Sequence, residues 1–225
     1  MGKKLNFPRP EDHPICLGTL EEPEVWLNKV KELRPLFKHI SDFSQILDGR
    51  EIWKDRKVWY LGVPCYASKD AEEYRQPALW RTLHSNFDTL YATVCAVLSE
   101  RFGCPFVVSS ILSPPGFHFL EGLTDDYSGR NMYHIDTDVE SFLRVPTTNI
   151  LSVTIPLALP TNSGGYLEYM LDGNTYMLVY ALGKIYMWHS RMFHRAGDFT
   201  YAEPGIRCTL QIHIYFDKGT GYLYW

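Results

Sequence analysis

The sequence predicts a mostly β fold with flanking helices, an antiparallel barrel of short strands buttressed on one side by an N-terminal helical layer. Three observations predict it. Residues 205–216 alternate along their length, with Arg207, Thr209, Gln211 and His213 on one face and Ile206, Cys208, Leu210, Ile212 and Ile214 on the other, and successive side chains of a strand point to opposite faces. Residues 149–159 and 184–188 are runs rich in β-branched and aromatic residues, punctuated by Gly164, Gly165 and Gly183, as strands between turns are. Residues 77–102 instead place Leu79, Leu83, Phe87, Leu90, Val94, Leu98 and Phe102 at helical spacing.

In chain order, residues 23–37 bring Trp26, Val30, Leu33 and Phe37 onto one helical stripe. Glu21, Glu22 and Glu24 suit the positive end of that helix, and Pro35 ends or kinks it. Residues 57–64 read as a strand. The helix over 77–102 has Pro77 in its first turn and Gly103 as its stop, and a stripe of this kind is core far more often than a groove. Residues 106–112 read as another strand. Residues 114–119 and 124–130 are loop-like by their Pro, Gly and Asp content; they lie either over the open mouth of the barrel or along its surface as ordinary connections. Residues 166–170 return from the turn at Gly164 and Gly165. No linker, repeat or low-complexity tract interrupts the chain, so a single domain over 1–225 is expected, with 1–105 as a helical and mixed buttress and 106–216 as the barrel core.

A chain of 225 residues with 45% hydrophobic and 21% charged content is long enough for a sizeable core. The net charge of -4 argues against a nucleic-acid surface. Fifteen Tyr, twelve Phe and six Trp can line an apolar pocket, although core packing accounts for most of them. Cys16, Cys65, Cys95, Cys104 and Cys208 are odd in number and lack C-x-x-C spacing, so neither a disulfide framework nor a zinc knuckle is expected. With no apolar signal core, Asn6 where a myristoylation signal needs Ser or Thr, and no run near the ~18 apolar residues of a membrane span, a cytoplasmic location is expected.

The chemistry concentrates at His134, Ile135 and Asp136. In an extended segment residues two apart point the same way, so the imidazole and the carboxylate emerge together. His194, from a later strand, adds a third donor. Two imidazoles and one carboxylate with open coordination positions are the donor set of non-haem Fe(II) sites. Each piece alone is common: His-x-Asp recurs by chance, and a lone strand arginine usually makes a salt bridge. Together, in this order and with the glycine turns, they favour a metal site. His189 is the rival second histidine; the alternative for it is a pocket or ordinary hydrogen-bonded role.

His134-Ile-Asp136, the Gly164-Gly165-x-Leu167 turn, Gly183 before a strand, His194-Arg-Ala-Gly197 and Gly205-Ile-Arg207-Cys-Thr209 resemble the Fe(II)/2-oxoglutarate-dependent dioxygenase superfamily, in the style of its phytanoyl-CoA hydroxylase-like and prolyl hydroxylase-like members. The resemblance covers roughly residues 106 to 216, about half of the chain. It implies a double-stranded β-helix, a jelly-roll, cupin-like barrel. It implies His134, Asp136 and His194 as iron ligands, and it favours His194 over His189 because His-Arg-Ala-Gly, a polar loop and Gly-x-Arg form the distal pattern. Arg207 would bind the far carboxylate of 2-oxoglutarate, with Thr209 as the hydroxyl beside it, and Asn131 and Tyr133 are lesser candidates for contact with cosubstrate or substrate. The implied reaction consumes O2 and 2-oxoglutarate, releases succinate and CO2, and oxidises a C–H bond: hydroxylation first, desaturation or cyclisation with the same residues. Halogenation is disfavoured because Asp136 fills the position a halide needs. The compact chain points to a small-molecule substrate, an amino acid or natural-product intermediate. A protein or peptide hydroxylase or demethylase, a cupin-type isomerase and a non-catalytic binding barrel are the alternatives.

Overall fold

The computed structural model describes residues 7–42, 57–65, 76–121, 133–136, 150–160, 165–197 and 205–225. Its elements run β1 (Ile15–Thr19), α1 (Pro23–Glu32), β2 (Lys38–His39), β3 (Val58–Leu61), α2 (Pro77–Phe102), β4 (Phe106–Val108), β5 (Gly116–Glu121), β6 (Leu151–Ala158), β7 (Tyr166–Leu171), β8 (Asn174–Val179), β9 (Lys184–His189), β10 (Phe193–Ala196), β11 (Ile206–Asp217) and β12 (Thr220–Tyr224). The larger sheet has the order β1-β9-β6-β11-β5-β3-β2, with β12 beside β11 and β4 beside β12. The smaller has the order β10-β7-β8, and His134 adds to it as an isolated antiparallel bridge to His194.

From β5 onward the chain alternates between these sheets. It leaves the large sheet for residues 133–136, returns for β6, crosses to β7 and β8, returns for β9, crosses to β10 and returns for β11. That alternation is the double-stranded β-helix, a jelly roll with a mostly antiparallel large sheet. Strand β11 is its centre and is buried on both faces. Cys208, Leu210, Ile212 and Ile214 enter the core beneath the helices, while Arg207, Thr209 and His213 are buried toward the smaller sheet.

Helix α2 has the expected bounds. Proline opens it, where a missing N–H costs nothing, and Gly103 closes it at φ 68 with its N–H donating to the Ser99 carbonyl at 2.8 Å. Leu83, Phe87, Leu90, Val94, Leu98 and Phe102 from its stripe join the core against the outer face of the large sheet. Helix α1 ends at Glu32, short of the expected Phe37. Pro35 removes a donor and clashes one turn back, and the chain tightens into a 3₁₀ turn at Arg34–Leu36.

Three expectations are corrected. Residues 116–119 are not loop but part of β5, hydrogen-bonded between β11 and β3, with Phe117 and Phe119 buried. The glycine there marks a close approach: a Cβ on Gly116 would sit 1.9 Å from the Trp225 ring. The N-terminal segment is more than a buttress, because β1, β2 and β3 are strands of the large sheet. Strand β4 stops at Val108, because the Ser109 hydroxyl accepts from the N–H groups of Ile111 and Leu112 and turns the chain. Residues 124–130, Asn131 and Gly164 lie outside the described residues. Among those described, no helix is long and apolar enough to cross a membrane.

Candidate metal centre

The sequence places His134 and Asp136 on a segment too short to be a regular strand, so its position depends on backbone partners. His134 pairs with His194, and the Asp136 N–H donates to the Ser190 carbonyl at 2.7 Å. On the outward face, Tyr133 stacks on Phe193 with centroids 5.2 Å apart, and its hydroxyl donates to Glu168 at 3.2 Å. Glu168 also accepts from Arg195 Nε at 2.6 Å, and the Arg195 guanidinium lies 5.0 Å from the Tyr133 ring. Tyr133, a lesser candidate for contact with cosubstrate or substrate, clamps the far side of this segment.

On the inward face the ligand atoms of His134, Asp136 and His194 all lie within 4.8 Å of one another. His134 Nε2 is 3.6 Å from Asp136 Oδ1, and His194 Nε2 is 3.3 Å from Asp136 Oδ2. The side chain of His134 is 55% exposed while those of Asp136 and His194 are 11% and 5% exposed, so the cluster meets solvent at His134. His189 is elsewhere. It follows Met187 on the opposite face of β9 from Trp188, and its Nδ1 accepts from the Arg191 N–H at 3.1 Å.

The donor set fits a divalent cation on its own chemistry. His194 Nδ1 lies 2.8 Å from the Met192 carbonyl, which can only accept, so Nδ1 carries a hydrogen. In the neutral ring Nε2 then aims its lone pair at a carboxylate oxygen, and two electron pairs in contact repel unless a cation, proton or metal, lies between them. The electrostatics agree. Burial works against ionisation of Asp136, but the surrounding His194, His213 and His134 outweigh it and hold the carboxyl far below its ordinary range. Burial likewise disfavours the charged form of His194, and Asp136 more than offsets it, raising that imidazole above its usual 6.5.

Arg207 and Thr209 face the same interior. Arg207 is 5% exposed and lies 5.8 Å from the ring of Tyr180, a residue the sequence did not single out. Burial pushes the Tyr180 hydroxyl up to about 12, and its side chain bonds Thr154. Thr154 Oγ1 donates to Gln211 Oε1 at 2.9 Å, and Gln211 Nε2 donates to Thr209 Oγ1 at 2.8 Å. A polar row thus runs from Tyr180 through Thr154 and Gln211 to Thr209. His118 of β5, opposite Thr209 in register, is held neutral: burial first and then Arg207 push it down to about 3. Tyr180 feels the charges of both Arg207 and Asp136, as does His118, so both residues lie within electrostatic reach of the arginine and of the cluster.

Three more residues at the cluster were not read as site residues. Ser152 Oγ is 2.7 Å from Asp136 Oδ2, 2.8 Å from Ser190 Oγ and 3.2 Å from His213 Nδ1. His213 shares a strand face with Arg207 and Thr209, a signal present in the alternation; Ser152 and Ser190 carry no comparable signal. Trp188 lies edge-on to His194 with centroids 5.3 Å apart, its indole N–H buried without a partner among the described residues.

No family profile and no curated protein matches the chain. Solved structures resemble it at low identity. An N-substituted L-amino acid dioxygenase from Burkholderia ambifaria AMMD is 10% identical over 91% of this chain and 82% of its own, with a TM-score of 0.49. The non-heme alpha-ketoglutarate-dependent epimerase SnoN from nogalamycin biosynthesis is 14% identical over 93% and 80%, with a TM-score of 0.49. A Pseudomonas putida prolyl-4-hydroxylase is 13% identical over 91% and 92%, with a TM-score of 0.45.

Proposed function

We propose that the protein is a non-haem oxygenase that uses Fe(II), 2-oxoglutarate and O2 to oxidise an unactivated C–H bond of a small molecule, an amino acid or natural-product intermediate, with release of succinate and CO2. The observation that carries this reading is the inward cluster itself: two imidazoles and one carboxylate within 4.8 Å, exposed at His134, with His194 Nε2 turned onto Asp136. Three protein donors leave positions free on an octahedral ion, as an oxygenase site requires. The reading takes residues 1–225 as one domain.

In this reading His134, Asp136 and His194 would hold the iron, which would supply the redox chemistry of an O2- and 2-oxoglutarate-dependent oxidation. The chain supplies the rest. Arg207 binds the far carboxylate of the cosubstrate; its planar fork matches a carboxylate through two parallel hydrogen bonds, and burial keeps water from competing. Thr209, on the same strand face as Arg207, is the hydroxyl partner of that carboxylate in this reading. The clamp of Tyr133, Glu168 and Arg195 holds residues 133–136 against β10 from outside. Asp136 as a ligand denies a halide its place, which favours hydroxylation.

Anaerobic titration of the Fe(II)-loaded protein with 2-oxoglutarate tests the site before any substrate is known. A saturable visible charge-transfer band in wild type, absent in Asp136→Ala and needing far more 2-oxoglutarate in Arg207→Ala, is the expected outcome. Iron bound with no band at any 2-oxoglutarate concentration overturns the reading.

A further inference from the structure

Asp136 does not hold its orientation unaided. Its buried supports come from three separate elements: Ser152 of β6, Ser190 after β9 and His213 of β11. Ser152 and His213 are cross-strand partners in the β6–β11 register, and Ser190 contributes its backbone carbonyl to the Asp136 N–H as well. The exposures are 2% for Ser152, 0% for Ser190 and 7% for His213, so water does not compete.

A serine hydroxyl has one hydrogen to give and two lone pairs to fill. Asp136 Oδ2, an ionised acceptor, takes the hydrogen, at the short 2.7 Å of a charge-assisted bond. The Ser190 hydroxyl at 2.8 Å and the His213 Nδ1–H at 3.2 Å then fill the two lone pairs. All three sites are used with no conflict, and this fixes the tautomer of His213. Two strands and the turn after β9 thus act on one carboxylate oxygen through Ser152.

Resting on the metal-centre reading above, we propose that Ser152, locked by Ser190 and His213, is a positioning residue that engages Asp136 Oδ2 and fixes the orientation in which the carboxylate meets the cation beside His134 and His194. The consequence is chemical. A carboxylate free to swing can turn its oxygens away from the two imidazoles, whereas one held at Oδ2 keeps Oδ2 toward His194 Nε2, at 3.3 Å, and Oδ1 toward His134 Nε2, at 3.6 Å. His213 stands outside the donor group of His134, Asp136 and His194, with its Nδ1 committed to Ser152.

Co(II) alone is the probe, because its visible ligand-field bands report coordination number and its affinity is measured without turnover. Ser152→Ala should fold, bind Co(II) roughly ten- to hundredfold more weakly, and show bands altered in position and intensity at saturation. Ser152→Thr, which keeps the hydroxyl, should restore both. His213→Leu leaves the Ser152–Asp136 bond in place and removes one of its locks; it should weaken Co(II) binding by about tenfold with a spectral change in the same direction, and it carries the test should Ser152→Ala not fold. Wild-type affinity and bands in both variants overturn the inference while leaving the metal-centre reading standing. No Co(II) bound by wild type overturns both.

Discussion

His134 and His194 are partners twice over. Their peptide groups exchange both hydrogen bonds, at 2.9 and 3.0 Å, and their rings stand with centroids 4.6 Å apart on the inward side. Residues that exchange both bonds across an antiparallel pair lie directly opposite one another and share a face. Pairing of the backbone therefore sets the distance between two candidate ligands that lie far apart in sequence.

The ligand prediction follows from that pairing. His134→Ala, Asp136→Ala and His194→Ala should each weaken Mn(II) or anaerobic Fe(II) binding by more than about 100-fold, beyond the loss typical of groups that merely support a ligand. His189→Ala, on the opposite face of β9, should bind as wild type does. Calorimetric titration reads all four, and retained affinity in His194→Ala with loss in His189→Ala would reverse the choice of histidine.

Arg207→Ala should raise the 2-oxoglutarate requirement roughly ten- to hundredfold, since a buried charge-assisted pair is worth about 1.5–3 kcal/mol. Metal affinity should change little. Arg207→Lys should recover only part of the loss, because an ammonium cannot reproduce the planar fork. Steady-state titration of 2-oxoglutarate checks both variants.

The metal-free protein should carry a pH signature. The folded His194 value lies above its ordinary 6.5, so its contribution to stability is present below that value and lost as pH rises through the raised one. Asp136 is depressed below 3.8, so its contribution is present above that value and lost as pH falls. Metal-free protein should therefore lose melting temperature as pH is raised above 6.5, while metal-loaded protein, in which the cation replaces the proton, should not show this loss. Melting curves of both forms from about pH 5 to about pH 9 decide it. Parallel pH dependence in the two forms would contradict the proton-for-metal exchange.

Gly116→Ala should destabilise the fold by about 1–3 kcal/mol or more through overpacking, since the new methyl meets the Trp225 ring at 1.9 Å. In a Trp225→Leu background the same substitution should cost less, because the two sites touch and are not additive. Denaturant unfolding of the four proteins measures the coupling.

Which elements were legible has a physical pattern. Helix α2 and strand β11 announced themselves because one carries a long stripe with proline and glycine at its ends and the other an unbroken alternation. Strand β5 was hidden by Pro114-Pro115-Gly116, where proline precedes the strand and glycine makes room for Trp225. The hairpins into β8 and β12 turn on Asp172-Gly173, at φ 49 and 76, and Lys218-Gly219, at φ 47 and 82. Positive φ at both centres is the tight hairpin turn, and the first pair is a recognised signal that the sequence does contain. At the site, His134, Asp136 and His194 were readable from spacing and resemblance. Ser152, Ser190 and Tyr180 were not, because what makes them relevant is register between strands, and only His213 could have been found, from the face it shares with Arg207.

Oxygen-dependent conversion of 2-oxoglutarate to succinate tests the central claim most directly. Purified protein with Fe(II), ascorbate and 2-oxoglutarate should form succinate slowly in air, faster with a fitting small molecule from a panel of amino acids and natural-product intermediates, and not under argon; Asp136→Ala should form none. Iron confirmed bound, with no oxygen-dependent succinate across that panel, would contradict the account and favour a cupin-type isomerase or a binding barrel.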